Sequence, residues 1–152
     1  MNSEIASMRQ TPERRQRWMA TLARTPLQDL HALLDRYAPL PAYQLPRPPE
    51  TGLCMVRGRM GGNGRPFNLG EMTVTRCVVQ LEDATAGIAY VTGRDRRQAE
   101  LAALADALLL NGHLPLSALE PLRESQAKHR EQRRKAVAST KVDFFTLVRG
   151  ED

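Results

Sequence analysis

The residues best equipped for chemistry in this chain lie in one stretch, RGRMGGNGRPFNLGEMTVTR, residues 57–76. Glycines at 58, 61, 62, 64 and 70 are interleaved with arginines at 57, 59, 65 and 76. Glycine-rich backbone can expose N–H groups to an anion, and guanidinium forks fit phosphate oxygens, so a phosphate-holding loop is the first chemistry to test. A Walker-type loop needs GxxxxGK followed by Ser or Thr between a strand and a helix, so that lysine reaches the terminal phosphates and the hydroxyl holds magnesium. No such GK pair occurs here, and the residues after the loop read as a strand. The dinucleotide fingerprint fails for the same reason, because Gly61-Gly62-Asn63-Gly64 opens no helix. Two readings survive. Gly61, Gly62 and Gly64 could form an anion-holding nest flanked by Arg57, Arg59 and Arg65, or they could supply positive φ to the loop of a wide β-hairpin. The hairpin is the simpler of the two. Arg76 suits an ion pair across a sheet, and in Gly93-Arg94-Asp95 the aspartate suits a helix N-cap, which leaves Arg94 as a further anion-binding candidate.

No other constellation offers catalysis. No serine has a base nearby in sequence, and Glu71, Asp95, Glu100 and Asp106 read as surface or capping carboxylates. His31 and Asp35 form an i, i+4 pair typical of a solvated helix face. His113 follows a helix end, where a cation meets the dipole favourably. Cys54 and Cys77 fall in separate strands without CxxC spacing and read as buried small hydrophobes, with a disulfide or redox pair as the alternative. The histidines at 31, 113 and 129 are scattered, with no metal-ligand spacing. The expected catalytic and metal sites are therefore none, and no cofactor of its own is expected.

At 152 residues the chain suits one domain with a real core. No apolar run approaches the ~20 residues a bilayer requires, and MNSEIASMRQTPERRQR lacks the apolar core of a secretory signal, so cytoplasmic residence is the expectation. The net charge is +5, and 19 of the 22 basic residues are arginine, which favours phosphate or carboxylate partners or reflects base composition.

The elements that would position these residues form an α+β pattern. Thr11-Pro12-Glu13 starts a helix that runs to about Ala23 and offers Trp18, Met19 and Leu22 to a core. Thr25-Pro26 repeats the signal, and Leu27, Leu30, Leu34 and Tyr37 share a face of a second helix. Four strands follow: Tyr43 to Arg47, Leu53 to Met60, Met72 to Leu81 and Ile88 to Thr92. PRPPE forms a rigid turn after the first, and Glu82-Asp83 and Gly87 bracket the last turn. In the second strand Leu53, Met55, Arg57 and Arg59 share one face. In the third, Thr75, Cys77, Val79 and Leu81 oppose Val74, Arg76 and Val78. The short connections make the sheet mostly antiparallel. Asp95 and Gln98 form a capping-box pattern for a helix with a Leu101, Leu104, Leu108 and Leu109 stripe, stopped by Asn111-Gly112.

From about Leu119 to Ser139 a basic helix is expected whose apolar stripe fades after Leu122. Gln126, His129, Gln132 and Arg133 stand where a core-facing helix needs Leu or Ile. VDFFTLV, residues 142–148, then holds two of the chain's three phenylalanines. Burying both would be worth about 3–5 kcal/mol, so they fold back on the sheet or anchor the chain to another protein. Strand and helix both suit this segment. Residues 1–112 thus form an α+β body, and 113–152 a basic helix and tail of the same domain.

Four blocks carry a resemblance: RQRWMATLA, RGRMGGNGRPFNLGEMTVTR, YVTGRDRRQAELAALADALL and KVDFFTLVRG. In order, and across Arg15 to Gly150, they resemble the PhnG family of the bacterial carbon–phosphorus lyase system, which uses phosphonates as a phosphorus source. Leu110 to Thr140 matches least. The resemblance implies an accessory subunit that assembles with PhnH, PhnI and PhnJ in a core complex, with PhnK and PhnL associated. In that system PhnI, helped by PhnG, PhnH and PhnL, displaces adenine from Mg-ATP with an alkylphosphonate. The product is ribose 1-alkylphosphonate 5-triphosphate, and PhnJ, an iron–sulfur radical enzyme, later breaks the carbon–phosphorus bond. It also implies that Val142, Phe144, Phe145 and Leu147 dock on a partner, PhnI first, and that the arginines of the glycine stretch either line a phosphate-bearing surface or pair with acids of that partner, the second being preferred. Two other classes compete: a free-standing basic anion- or RNA-binding module, and an independent transferase. No RNA-recognition pattern appears, so nucleic acid is not expected among the partners.

Overall fold

A computed structural model describes residues 11–140. Helix α1, Pro12–Ala23, opens as its sequence dictates, with the Thr11 hydroxyl accepting from the Arg14 N–H at 3.4 Å and proline in the first turn. It buries Trp18, Thr21 and Leu22. Helix α2, Leu27–Asp35, buries Leu30, Leu33 and Leu34. Its expected cap is not made: Pro26, not Thr25, is the N-cap, and the Thr25 hydroxyl donates to the Thr21 carbonyl at 2.8 Å instead. The turn between the helices is so tight that Thr25 still serves the end of α1.

The sheet is antiparallel in the order β1-β2-β3, with β1 Tyr43–Arg59, β2 Pro66–Leu81 and β3 Ala86–Thr92. Three strands replace the four expected. PRPPE makes no turn but lies inside β1, where the pairing slips between Gln44 and Arg47 and again between Arg47 and Glu50. An edge strand needs no N–H on its outer side, and irregularities absorb the rest, so prolines are tolerated there. Gly87 is likewise inside β3 rather than in the turn. A β-carbon on it would collide with the Ala103 carbonyl and with Ala107, so glycine here lets strand and helix approach.

That helix is α3, Arg96–Asn111, the centre of the core. Every residue from Leu101 to Leu109 is buried, which is more than the expected stripe, and a segment apolar on every side but for Asp106 belongs in an interior. One side packs on β2 and β3, where Thr75, Cys77, Val79, Leu81, Ala89 and Val91 point inward. The other side takes α1 and α2. Asp95 caps α3 by accepting from the Gln98 N–H at 2.9 Å, and Gly112 ends it in the left-handed region. The capping box is only half formed, because the Gln98 side chain donates to the Thr25 carbonyl at 2.8 Å. A short 3-10 turn, Leu116–Leu119, leads to α4, Glu120–Ser139, which buries none of its residues.

Candidate functional site

Three strands do not run the full length of the sheet. β3 pairs only with Val74 to Gln80, so Leu53 to Arg59 and Pro66 to Thr73 continue alone as a two-stranded arm. The root of the arm is tied by hydroxyls. Buried Thr75 donates to the Gly93 carbonyl at 2.7 Å, which leaves Thr51 to donate to Thr75 at 3.0 Å. At the tip, Met60–Gly62 forms a single 3-10 turn with φ of 62° at Gly61 and 80° at Gly62. The Gly64 N–H donates to the Met60 carbonyl at 3.0 Å, and a β-carbon on Gly64 would sit 2.6 Å from that oxygen. Arg59 closes the loop by donating to the Gly64 carbonyl at 3.1 Å. The glycines thus serve the turn geometry of a hairpin loop.

The pairing register gives the arm its faces. Cross-strand partners share a face, so Leu53, Met55, Arg57 and Arg59 lie with Thr73, Glu71, Asn68 and Pro66. Cys54, Val56 and Gly58 lie with Met72, Gly70 and Phe67 on the other. The register slips between Val56 and Arg57, where Leu69 is the extra residue; its side chain lies over Gly58. Neither face is covered by another described element. Leu53 is 67% exposed, Met55 52%, Met60 77%, Phe67 42% and Leu69 62%. Arg57 donates to Asn68 at 3.4 Å, and among the described residues none of Arg57, Arg59 and Arg65 is ion paired.

The structure therefore brings Arg57, Arg59, Gly61, Gly62, Gly64 and Arg65 together at the distal end of the arm. It places Arg76 and Arg94 elsewhere. Arg76 pairs across the sheet with Glu50 at 2.9 Å, the ion pair its position in a strand suggests, and this pairing together with neighbouring Tyr90 raises its pKa. Arg94 is exposed in the turn two residues beyond Thr92, near the arm's root. Val142, Phe144, Phe145 and Leu147 lie outside the described residues. Cys77 is buried as expected, but Cys54 is exposed on the arm, and both are free thiols. Cys54 faces Met72, five strand positions from Cys77, a separation of about 17 Å that no disulfide spans.

Two carboxylates depart from the surface role read from the sequence. Asp106 is fully buried in α3. It accepts from the Trp18 indole N–H at 2.7 Å, from Arg15 Nη2 at 2.8 Å and from the Ile88 N–H at 2.9 Å, joining α1, β3 and α3 at one point. Half-buried Glu100 accepts from the Tyr43 hydroxyl and from Arg97, each at 2.7 Å. Burial and the Glu100 carboxylate raise the Tyr43 pKa. One signal was present for Asp106: it sits between Leu104 and Leu108 on a stripe with no polar neighbour. Among the described residues no buried side-chain polar atom lacks a partner, so these groups are bound up in holding the fold. Among the same residues no group of His, Cys, Asp and Glu is placed to hold a metal ion, and no helix is long and apolar enough to cross a membrane.

Fold and surface together define a small α+β scaffold that, among the described residues, presents an exposed two-stranded arm and a basic helix exposed from Ala127 onward. Comparison with known proteins gives the class its name. The family model described as phosphonate metabolism protein PhnG matches residues 13–150, and the chain belongs to that family. It is also 46% identical over 142 residues, 91% of this chain and 90% of the relative, to the alpha-D-ribose 1-methylphosphonate 5-triphosphate synthase subunit PhnG of Rhizobium meliloti (strain 1021).

Proposed function

We propose that this chain is an accessory subunit of the assembly that makes alpha-D-ribose 1-methylphosphonate 5-triphosphate from ATP and methylphosphonate, and that the arm is one of its docking surfaces. Family membership and the relative's printed role supply the reaction. The observation that carries the docking role is the exposure of Leu53, Met55, Met60, Phe67 and Leu69 on a single arm. An isolated two-stranded ribbon is marginal in water, and apolar residues on both its faces favour enclosure by another protein. The partners in this reading are PhnI, PhnH and PhnJ, with PhnK and PhnL associated. PhnI carries out adenine displacement in the cytoplasm, and this subunit brings no catalytic group or cofactor. Arg57, Arg59 and Arg65 meet carboxylates at the rim of the partner's groove, where charge sets orientation more than affinity.

Co-expression with PhnH, PhnI and PhnJ tests the reading. The parent chain co-purifies with them, and Phe67→Asp/Leu69→Asp, which places two carboxylates on one face of the arm, is lost from the complex while its circular dichroism stays parental. A variant that remains in the complex in full stoichiometry removes the arm from the interface. A parent chain that ignores all three partners overturns the subunit assignment.

A further inference from the structure

The face of α4 that carries Leu122 continues as Gln126, His129, Arg130 and Arg133. Gln126 reaches back to donate to the Thr21 carbonyl at 2.9 Å and to the Thr25 hydroxyl at 3.3 Å, which clasps α4 to the α1–α2 turn. From Ala127 onward every described residue of α4 is exposed, and beside the clasp lies a cleft of about 580 Å³. Arg24 lines it from the α1–α2 turn, Pro26 from the N-cap of α2 and Asp29 from its first turn, and no side chain caps that helix. Three guanidinium groups and an imidazole thus share one cleft with a single carboxylate. Among the described residues Arg24, Arg130 and Arg133 form no ion pair, whereas Arg15, Arg76, Arg97 and Arg123 each find a carboxylate.

We infer that this cleft binds the triphosphate of a small-molecule substrate or product, held by Arg24, Arg130 and Arg133. Its volume lies in the range of small-ligand sites, roughly 300–1,000 Å³. Guanidinium forks pair bidentately with phosphate oxygens, and three unpaired forks side by side repel one another until a multivalent anion enters. A triphosphate presents three or four charges within the span of the cleft. An acidic peptide presents one charge per side chain and needs apolar anchor pockets, for which only Leu122 and Pro26 stand here. This position on α4 explains why its inward face turns polar: the stripe stops lining a core and starts lining an anion site. The choice of a triphosphate rests on the proposed function, but the anion site does not.

Calorimetric titration of the full chain, alone and in the co-purified complex, with inorganic tripolyphosphate tests the site. The expected result is saturable one-to-one binding that weakens at least ten-fold in Arg130→Ala/Arg133→Ala. Lys128→Ala/Arg134→Ala removes the same charge from residues of α4 outside the cleft and should change affinity less than two-fold. Absence of saturable binding overturns the inference. So does equal weakening by the two double variants, which would reduce the effect to net charge. Tighter saturation by octaglutamate than by tripolyphosphate also overturns it and makes the cleft a protein-docking surface. Loss of partner co-purification with tripolyphosphate binding intact overturns the subunit reading and leaves this site standing.

Discussion

Replacing Asp106 by asparagine keeps the shape of the buried side chain and removes its charge. The carboxylate accepts from Trp18, Arg15 and Ile88 within 2.9 Å, and its side chain is fully buried. Hydrogen bonds to a charged group are each worth about 1.5–3 kcal/mol, but desolvation of the carboxylate offsets much of that sum. Asparagine offers one acceptor oxygen where three donors converge, and its own N–H₂ must then face one of them. The expected cost is about 2–4 kcal/mol. Asp106→Ala, which strands the Trp18 and Ile88 N–H groups, should cost about 3–5 kcal/mol, against a total stability on the order of 5–15 kcal/mol. Arg15→Ala should cost about 2–3 kcal/mol, because it leaves the fully buried Asp106 carboxylate without its counter-charge, while water entering where the one-third-exposed Arg15 side chain stood offsets part of that cost. Urea denaturation followed by circular dichroism gives these values. Fluorescence of Trp18, the chain's one tryptophan, reports the hub directly. If Asp106→Asn and Asp106→Ala both unfold within about 0.5 kcal/mol of the parent, a range typical of surface substitutions, the hub does not hold α1 to α3 and the reasoning fails.

Gly87→Ala drives a methyl into the Ala103 carbonyl and Ala107, and should cost about 3 kcal/mol, the upper end of overpacking, seen as a melting temperature lower by about 6–12 °C. In native protein at pH 8 a thiol reagent should titrate Cys54 alone, with Cys77 reacting only in denaturant, since burial and then the Glu100 carboxylate push the Cys77 thiol up to about 11. Its folded pKa stands above the unfolded value of 9.0, so its contribution to stability is complete below pH 9 and is lost as pH rises through 11. The urea midpoint of Cys77→Val should fall less over that window than the parent's. Arg76→Ala should leave the melting temperature unchanged within error, because Arg76 and Glu50 are both open to solvent and their pairing is screened.

Much of the body could be read from local rules. Thr11-Pro12 and Asp95 set helix starts, Gly112 set a stop, and the alternation from Thr75 to Leu81 placed the buried face of β2, because each signal depends on residues a few positions apart. What escaped depended on distant partners. Thr25 and Gln98 each carried a sound capping signal, yet Gln98 spends its side-chain donor on the Thr25 carbonyl across the core. PRPPE reads as a turn unless the strand is known to be an edge. Asp106 reads as surface until Trp18, Arg15 and Ile88 are brought to it from other elements. The arm shows the same limit from the other side. Its glycines and arginines were legible, and so was the shared face of Leu53, Met55, Arg57 and Arg59. That both faces stay bare followed only once β3 was seen to stop at Thr92, opposite Val74.

The ending of β3 also decides how the arm can act. A ribbon free along its whole length would fluctuate and lose much of its docking energy to ordering. Here the proximal half is continuous with a three-stranded sheet, and Thr51, Thr75 and Gly93 lock the point of departure. The distal half keeps its shape through contacts of its own: Leu69 over Gly58, and Arg59 across the loop to Gly64. The arm is therefore largely organised before it meets anything, and its exposed side chains can be enclosed without first folding the segment that bears them. The five exposed apolar residues together offer about three side chains' worth of surface, on the order of 5–9 kcal/mol of gross burial. Rotational and translational losses on association consume a similar amount. The arm alone thus gives weak attachment, and a stable place in an assembly requires a second contact elsewhere on the chain.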